Sequence, residues 1–411
     1  MTGRAVPPGV HANRDFAARA ASFTGSPIDD STRLLQSQRH DIVRFAMGSP
    51  APEAIPAEIF SATLALVLPG GRSDAYDYGP TEGEAGLRKA LIEFLDGQDG
   101  VAPPGERLLI TSGGMQGLDL TCKLFVDPGD VVAVESPTYT NGTGVISGYG
   151  GQVLEVPTDE DGMSVEALRE LGAAQPPKLL YVIPNFQNPS GVTMSLERRQ
   201  QLVELAEAWG TVILEDDPYR QLRFQGEPLP SLEELAAGAV RVVGVHTFSK
   251  ILAPGLRVGW VSADPEVIRW MVAAKQTLDT CTNVPMQRLV AGFMEQGLLD
   301  QHIAGLRADY HHRKEDMRRV LATHFGDIDA HWTDPGGGFF LWLTLPEVVD
   351  CQTLFPMALE QGVAFIPGAA FSVSGKFANA LRLAFSATTG ERTELGISRL
   401  RTALDVYMEQ V

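Results

Sequence analysis

Cysteine is scarce in this chain of 411 residues: there are three, Cys122, Cys281 and Cys351. They are odd in number, far apart and without metal-ligand spacing. That excludes a disulfide-built scaffold and reads as small buried residues of a reducing compartment. Histidine is sparing too, at eight. None falls in an HExxH pattern, and the adjacent His311 and His312 would point in different directions on a helix, so no metal site is expected. Basic residues are in deficit, 33 against 51 acidic, for a net charge of −18. The balance argues against a nucleic-acid surface but leaves room for a small anionic substrate held by local arginines. Long apolar runs are also missing. No stretch approaches the length of a membrane span, the N-terminus lacks the apolar core of a signal peptide, and the cytoplasm is the expected location.

Hydrophobic residues at 44% and charged residues at 20% describe an ordinary globular composition, and the length admits two or three domains. Residues 1–30 are rich in Ala, Arg, Pro and Gly and read as an arm, with a short helix from Arg14 to Ser22, that packs on a neighbouring subunit. An apolar strand and a Gly/Pro loop follow in FAMGSPAPEAIP (Phe45 to Pro56), and Pro56 starts a helix running to Leu66. Leu87, Leu91, Phe94 and Leu95 make one face of the next helix.

From Arg107 apolar strands recur at Leu108–Thr111, Val131–Val134, Val153–Val156, Leu179–Ile183, Val212–Leu214, Val242–Val245 and Leu256–Val261. Most gaps hold helix-like segments such as Leu118–Phe125, Val165–Leu171 and Leu196–Trp209. This rhythm predicts an α/β fold with a mainly parallel seven-stranded sheet covered on both faces. Turn signals agree: Asp127-Pro128-Gly129-Asp130 precedes one strand, while Ser195 caps and Gly210 closes one helix. Past Asp264-Pro265 helices dominate to Phe325, then GGGFFLWLTL, VAFIPG and ALRLAFS give spaced strands before a helix from Glu391 to Met408. The expected division is an arm with part of the small domain over 1–44, a large domain over 45–290 and a smaller α+β domain over 291–411.

Ligands of open α/β sheets bind beyond the carboxyl ends of the strands, and the unusual clusters fall there. In TSGGMQG, Gly113 and Gly114 let backbone approach a phosphate at a helix start, a plain tight turn being the alternative. SPTY places Tyr139 at the same edge, as a stacking ring or a core tyrosine. PNFQNPSG brings Asn188, a donor to a phenolic oxygen or merely a turn residue before Pro189. EDDPY sets three carboxylates after a buried strand. They cannot all be core, and a solvated charge run is a serious alternative for Glu215 and Asp217, while alternation and the D-x-x-Y spacing bring Asp216 and Tyr219 to one site. A carboxylate there would keep a pyridine ring protonated. In VHTFSKILAPGLRVGW, Lys250 sits in a hydroxyl-rich turn between apolar strands, with Arg257 seven residues on. Alone this reads as a solvated lysine followed by a surface arginine. Beside the other clusters, Lys250 could form a Schiff base with a carbonyl, and Thr247, Ser249 and Arg257 could hold a phosphate. Pyridoxal phosphate (PLP) needs both.

In combination, YGPTEGEAGLR, TSGGMQGLDL, ESPTY, PNFQNPSG, EDDPY, TFSKILAPGLRVGW, GGGFFLW and NALRLAF resemble the fold-type I PLP enzymes of the class I/II aminotransferase family. The likeness runs from Phe45 to the C-terminus, in the branch of 2-aminoadipate and kynurenine aminotransferases and of MocR-type effector domains. It implies that Lys250 holds PLP as a Schiff base, that Asp216 pairs with the pyridine nitrogen, and that Tyr219 and Asn188 bond the 3-hydroxyl oxygen. By the same resemblance Tyr139 stacks on the ring. The phosphate is held by the backbone of Gly114 and Met115 with Gln116, Thr247, Ser249 and Arg257. Tyr78 would reach that phosphate from the other subunit of a homodimer. Arg382 would fork onto a substrate α-carboxylate, and Gly48 lies where an N-terminal loop covers the substrate. Two places depart from the family: GGMQG stands where many relatives have Gly-Ser-Gln-Gln-Ala, and GSPAPE replaces Gly-x-Pro-Asp-Pro. Substrate preference is thereby left open. The expected activity moves the α-amino group of an amino acid to a 2-oxo acid, with Lys250 carrying the Cα proton. The same core also serves β- or γ-elimination, replacement or oxidation. A ligand-sensing regulator would need a DNA-binding domain, for which the residues before Phe45 leave no room.

Overall fold

Runs without a charged residue, such as Leu108–Ile110 and Leu179–Val182, have no face that needs water, and each lies as a strand buried on both sides. The computed structural model describes residues 16–23, 25, 41–68, 70, 73–99 and 103–410. Strand β1 (Val43–Arg44) comes first. A large sheet follows from β2 (Leu108–Thr111), β3 (Val131–Ser136), β4 (Gln152–Asp159), β5 (Gly162–Met163), β6 (Leu179–Val182), β7 (Val212–Asp216), β8 (Val242–Thr247) and β9 (Gly259–Ser262). Its order is β2-β9-β8-β7-β6-β3-β4-β5. The pairs β7–β8, β6–β7, β3–β6 and β3–β4 are parallel, while β9 runs antiparallel to both neighbours and β5 antiparallel to β4.

The sheet therefore has eight strands, not seven. The extra one, Gly162–Met163, is two residues long and leaves no apolar run to read. One expected strand also shortens. Pro254–Leu256 is a 3-10 turn and Arg257 is left-handed at φ 53°, so β9 starts only at Gly259. This frees Arg257 from the sheet and lets its side chain turn back along the sheet edge.

Side chains alternate between two layers, as strand geometry requires. Leu179, Tyr181, Leu214, Val243 and Val245 pack against Leu118, Val267 and Met271 of the helices Gly114–Phe125 and Pro265–Gln276. Leu180, Val182, Ile213 and Val242 pack the opposite way, on Leu202, Leu205 and Val165 of the helices Leu196–Trp209 and Val165–Leu171. Asp216 thus lies on the Leu214 face of β7, and Glu215 on the Ile213 face.

The C-terminal third builds β10 (His331–Trp332), β11 (Phe340–Thr344), β12 (Val363–Ala364), β13 (Ile366–Pro367) and β14 (Ala380–Ala384). Four of these form an antiparallel sheet, β10-β11-β14-β13, and β12 pairs in parallel with β1. The long helix Leu298–Phe325 and the last helix Gly390–Met408 pack together beside them. The helix Ala57–Val67 lies one residue past its expected start, and Leu87, Leu91 and Phe94 are buried on the helix Ala85–Asp99 as their spacing predicts. Of the helix expected over Arg14–Ser22, Ala18–Ser22 is a 3-10 turn, and Arg14 and Asp15 lie outside the described residues. Cys122 and Cys351 are buried, Cys281 is half-buried, and all three are free thiols. No helix among the described residues is long and apolar enough to cross a membrane.

Candidate active site

The carboxyl ends of β2, β3, β6, β7 and β8 open on a cavity of about 240 Å³, closed from the other side by Gly48, Phe340 and Arg382. Gly114, Met115, Tyr139, Asn188, Asp216, Tyr219, Thr247, Ser249, Lys250 and Arg257 all line it. Stretches far apart in sequence become neighbours because each ends a strand or turns off one.

One end of the cavity is built for an anion. Gly113, left-handed at φ 79°, precedes the helix Gly114–Phe125, whose first N–H groups have no helical carbonyl to meet. The Thr247 hydroxyl donates to Ser249 Oγ at 2.9 Å, and the Arg257 guanidinium reaches Ser249 Oγ at 3.4 Å and the Ser112 carbonyl at 3.2 Å. No carboxylate pairs with Arg257 among the described residues. A phosphate would meet two hydroxyls, a guanidinium and a helix start there with no opposing charge.

Lys250 Nζ stands across the cavity and donates to the Gly48 carbonyl at 2.6 Å. Burial, reinforced by the nearby charge of Arg382, pushes its amine down to about 8, with Asp216 opposing the shift. Asp216 is 8% exposed and accepts a hydrogen bond from the Tyr181 hydroxyl at 2.9 Å. Burial pushes its carboxyl up to about 7, against the hydrogen bond from Tyr181. A cationic N–H in the cavity would stabilise the ionised form of this carboxylate, which is what a protonated pyridine offers.

Arg382 is the most telling group. It lies in β14, one of the two inner strands of the small sheet, 1% exposed, and no carboxylate meets it among the described residues. Nη1 donates to Asn188 Oδ1 and Nη2 to the Ala46 carbonyl, each at 2.8 Å, while Nε is buried without a partner. The guanidinium sits 4.1 Å from the Phe340 ring centroid. Burial pushes its pKa down to about 10. An unpaired buried cation is costly, and an anion brought by a ligand removes that cost. Tyr219 packs edge-on against Phe339 and Phe340 at 5.4 and 5.9 Å, and burial raises its phenol above the ordinary range.

Two sequence-predicted residues are not brought in. The Gln116 side chain turns away from the cavity: Oε1 accepts from the Ser112 amide at 2.8 Å and Nε2 donates to Asp279 at 2.7 Å. It braces the turn from which Gly114 emerges and does not face the anion end. Tyr78 is 81% exposed and lies outside its own chain's cavity.

A third expectation fails outright, since all three carboxylates of EDDPY are buried. Glu215 accepts from the Leu232 and Glu233 amides at 3.0 and 3.3 Å, and burial pushes it up to about 7. Asp217 accepts from Asn185 Nδ2 at 2.9 Å, and Asn185 Oδ1 in turn accepts from the fully buried Arg199 at 2.8 Å. Each acid has at least one protein donor, although Asp217 Oδ1 is left unpartnered. Tyr181 and Glu135 were not legible as neighbours of Asp216. Glu135 is buried, accepts from the Ile183 amide at 2.9 Å, and is pushed up to about 8 by burial. The available signal was small: Tyr181 is the one hydroxyl in the strand LLYV.

The family described as aminotransferase class I and II matches residues 52–400. An aromatic-amino-acid aminotransferase of Thermococcus litoralis is 36% identical over 400 residues, covering 96% of this chain and 95% of that protein. A 2-aminoadipate transaminase of Thermus thermophilus is 37% identical over 391 residues, covering 95% and 96% of the two. The crystal structure of an α-aminoadipate aminotransferase of Thermus thermophilus, complexed with N-(5'-phosphopyridoxyl)-L-leucine, is 36% identical. It superposes with a TM-score of 0.88 over 97% of this chain and 99% of that one.

Proposed function

The chain belongs to the aminotransferase class I and II family and is a PLP-dependent aminotransferase, and we propose from its geometry which residues carry that activity. PLP supplies an electron sink that makes the Cα–H bond of an amino acid labile. The anion end formed by Gly114, Met115, Thr247, Ser249 and Arg257 would hold its phosphate, Asp216 would meet its ring nitrogen, and Tyr139 would pack on its ring. Lys250 would carry it and move the Cα proton. An amine pushed down to about 8 is partly neutral near physiological pH, as a base must be. Arg382 takes the substrate α-carboxylate and so fixes which Cα substituent faces Lys250. Asn188 is already committed to Arg382 through Oδ1, which leaves its amide N–H groups for a phenolic oxygen. Tyr219 supplies a second contact to that oxygen, and Phe340 with the Gly48 loop keeps water out.

The observation that carries this reading is the buried, unpaired guanidinium of Arg382 in the same cavity as the Lys250 amine. The names of the relatives support starting a donor screen with aromatic amino acids and 2-aminoadipate, with pyruvate and 2-oxoglutarate as acceptors. A single turnover with donor alone should release one 2-oxo acid per site and no ammonia. Catalytic ammonia, oxygen uptake or loss of a side-chain group without an acceptor would overturn transfer in favour of elimination, replacement or oxidation. The same proposal includes a homodimer in which Tyr78 reaches the partner's phosphate site, a division of the chain near residue 290, and a cytoplasmic location supported by three free thiols.

A further inference from the structure

We infer that Tyr181, admitted by Gly142, is a positioning residue that holds Asp216 ionised and in register for the ring nitrogen of the cofactor. The inference rests on the assignment of Asp216 made above and adds the group that sets its charge.

The geometry begins with the sheet. In the β6–β7 ladder Tyr181 sits opposite Leu214, and Asp216 is two residues further along the same face of β7. The phenol therefore points along the strand end toward the carboxylate and donates to Oδ2 at 2.9 Å. Both residues are buried, so this bond does not compete with water. One carboxylate oxygen is thereby taken, and the other is left for a donor in the cavity that Asp216 lines.

The phenol has no alternative place. Gly142, in the helix Thr140–Gly148 that follows Tyr139, passes so close that a Cβ there would lie 2.7 Å from Cε1, Cζ and Oη of Tyr181. A glycine at this point of a helix is disfavoured intrinsically, which makes the close approach its reason. Gly142 and Asp216 together hold the hydroxyl from two sides. An ionised carboxylate can only accept, and the phenol, raised well above its usual range by burial, stays a donor throughout the working pH range. Loss of that donor leaves burial and the neighbouring charge of Asp217 against the ionised form, with only Lys250 favouring it, so Asp216 would take a proton more readily. It would then hold the ring N–H less strongly.

The test uses the PLP-loaded protein with the pyridine nitrogen labelled with 15N, whose chemical shift reports ring protonation as pH is varied. Wild type should keep the ring protonated at neutral pH, and Tyr181→Phe should move the nitrogen shift there toward its unprotonated value, as Asp216 takes more of the proton that the two share. Affinity for PLP should fall by about tenfold. Affinity for the analogue carrying CH in place of the ring nitrogen should not change, a selectivity that a merely structural role would not produce. Gly142→Ala should move the shift in the same direction and add little to Tyr181→Phe. If the wild-type ring is unprotonated, or Asp216→Asn leaves its shift unmoved, the assignment of Asp216 and this inference fall together. If Asp216→Asn moves the shift and Tyr181→Phe does not, this inference alone falls. Equal loss of PLP and of the CH analogue in Tyr181→Phe overturns it as well.

Discussion

Two adjacent aspartates meet different surroundings because a strand turns successive side chains to opposite layers. Asp216 faces the cavity and Tyr181, whereas Asp217 is 1% exposed behind it, bonded to Asn185 with its Oδ1 unpartnered. Asp216→Asn should leave the fold intact and lower kcat by on the order of 10³-fold or more, if ring protonation contributes about 4 kcal/mol at the transition state. Asp217→Asn should act elsewhere. It removes the charge from a buried network that includes Asn185 and Arg199, so the expected effect is a loss of about 1–3 kcal/mol in unfolding free energy with kcat nearly kept. Urea unfolding and steady-state kinetics on both variants separate the two roles. A reversal, with Asp217→Asn the poorer catalyst, would move the ring-nitrogen partner by one residue.

The turn between β2 and the helix Gly114–Phe125 is an element whose logic was readable in advance. Two glycines at a strand-to-helix junction announce close backbone approach, and the structure gives the reason for the first: Gly113 is left-handed at φ 79°, and a Cβ on it would overlap the Arg257 guanidinium. Gly113→Ala should therefore displace Arg257 and cut PLP affinity by about tenfold or more, while costing about 1 kcal/mol in strain. Equilibrium dialysis of PLP against the variant checks it, and unchanged affinity would mean that this turn does not shape the phosphate end. Elements of this kind were legible because their signals are local: most of the apolar strand runs, the Ser195 cap and the Gly210 stop are where the sequence puts them. What was not legible depends on pairing register and packing. The burial of Glu215 needs the Leu232 and Glu233 amides, supplied seventeen and eighteen residues later by the start of another helix. The turning away of Gln116 needs Asp279, brought in from the segment after the helix Pro265–Gln276. The hydrogen bond from Tyr181 to Asp216 needs the β6–β7 register, which apolar runs do not encode.

At the scale of the whole molecule, buried acids give the cofactor-free protein a characteristic pH response. Burial raises Glu135 to about 8, and Glu215 and Asp216 to about 7, above the values these side chains have in an unfolded chain. Between the unfolded and folded values the folded state holds the extra proton, so stability falls as pH rises through that window. His246 and His302, pushed down by burial, oppose this only below about pH 6.5, and Lys250, pushed down to about 8, opposes it only at higher pH. The net expectation is a lower urea midpoint at pH 8 than at pH 6.5. Glu135→Gln, which keeps an acceptor for the Ile183 amide, should remove up to roughly 2 kcal/mol of that decline. A flat profile in wild type would show that these acids are ionised at a lower pH than their burial implies.

The proposed homodimer carries a prediction of its own at this scale. Tyr78 lies outside the cavity of its own chain with its ring exposed, beside the equally exposed Tyr76, on a turn that precedes the large sheet. In the homodimer proposed above, each Tyr78 would reach the other chain's phosphate end, and its exposure leaves it free to do so. Co-expression of differently tagged Tyr78→Phe and Lys250→Ala chains tests it. Each homodimer should be severely impaired. In the hybrid, one site combines the intact Lys250 of one chain with the intact Tyr78 of the other, while the second site has lost both. Purified hybrid should therefore regain roughly half the activity of wild type, one working site in two. If Tyr78 served its own chain, neither hybrid site would be whole and no activity would return. A monomer by light scattering with full activity would be equally decisive against the shared site.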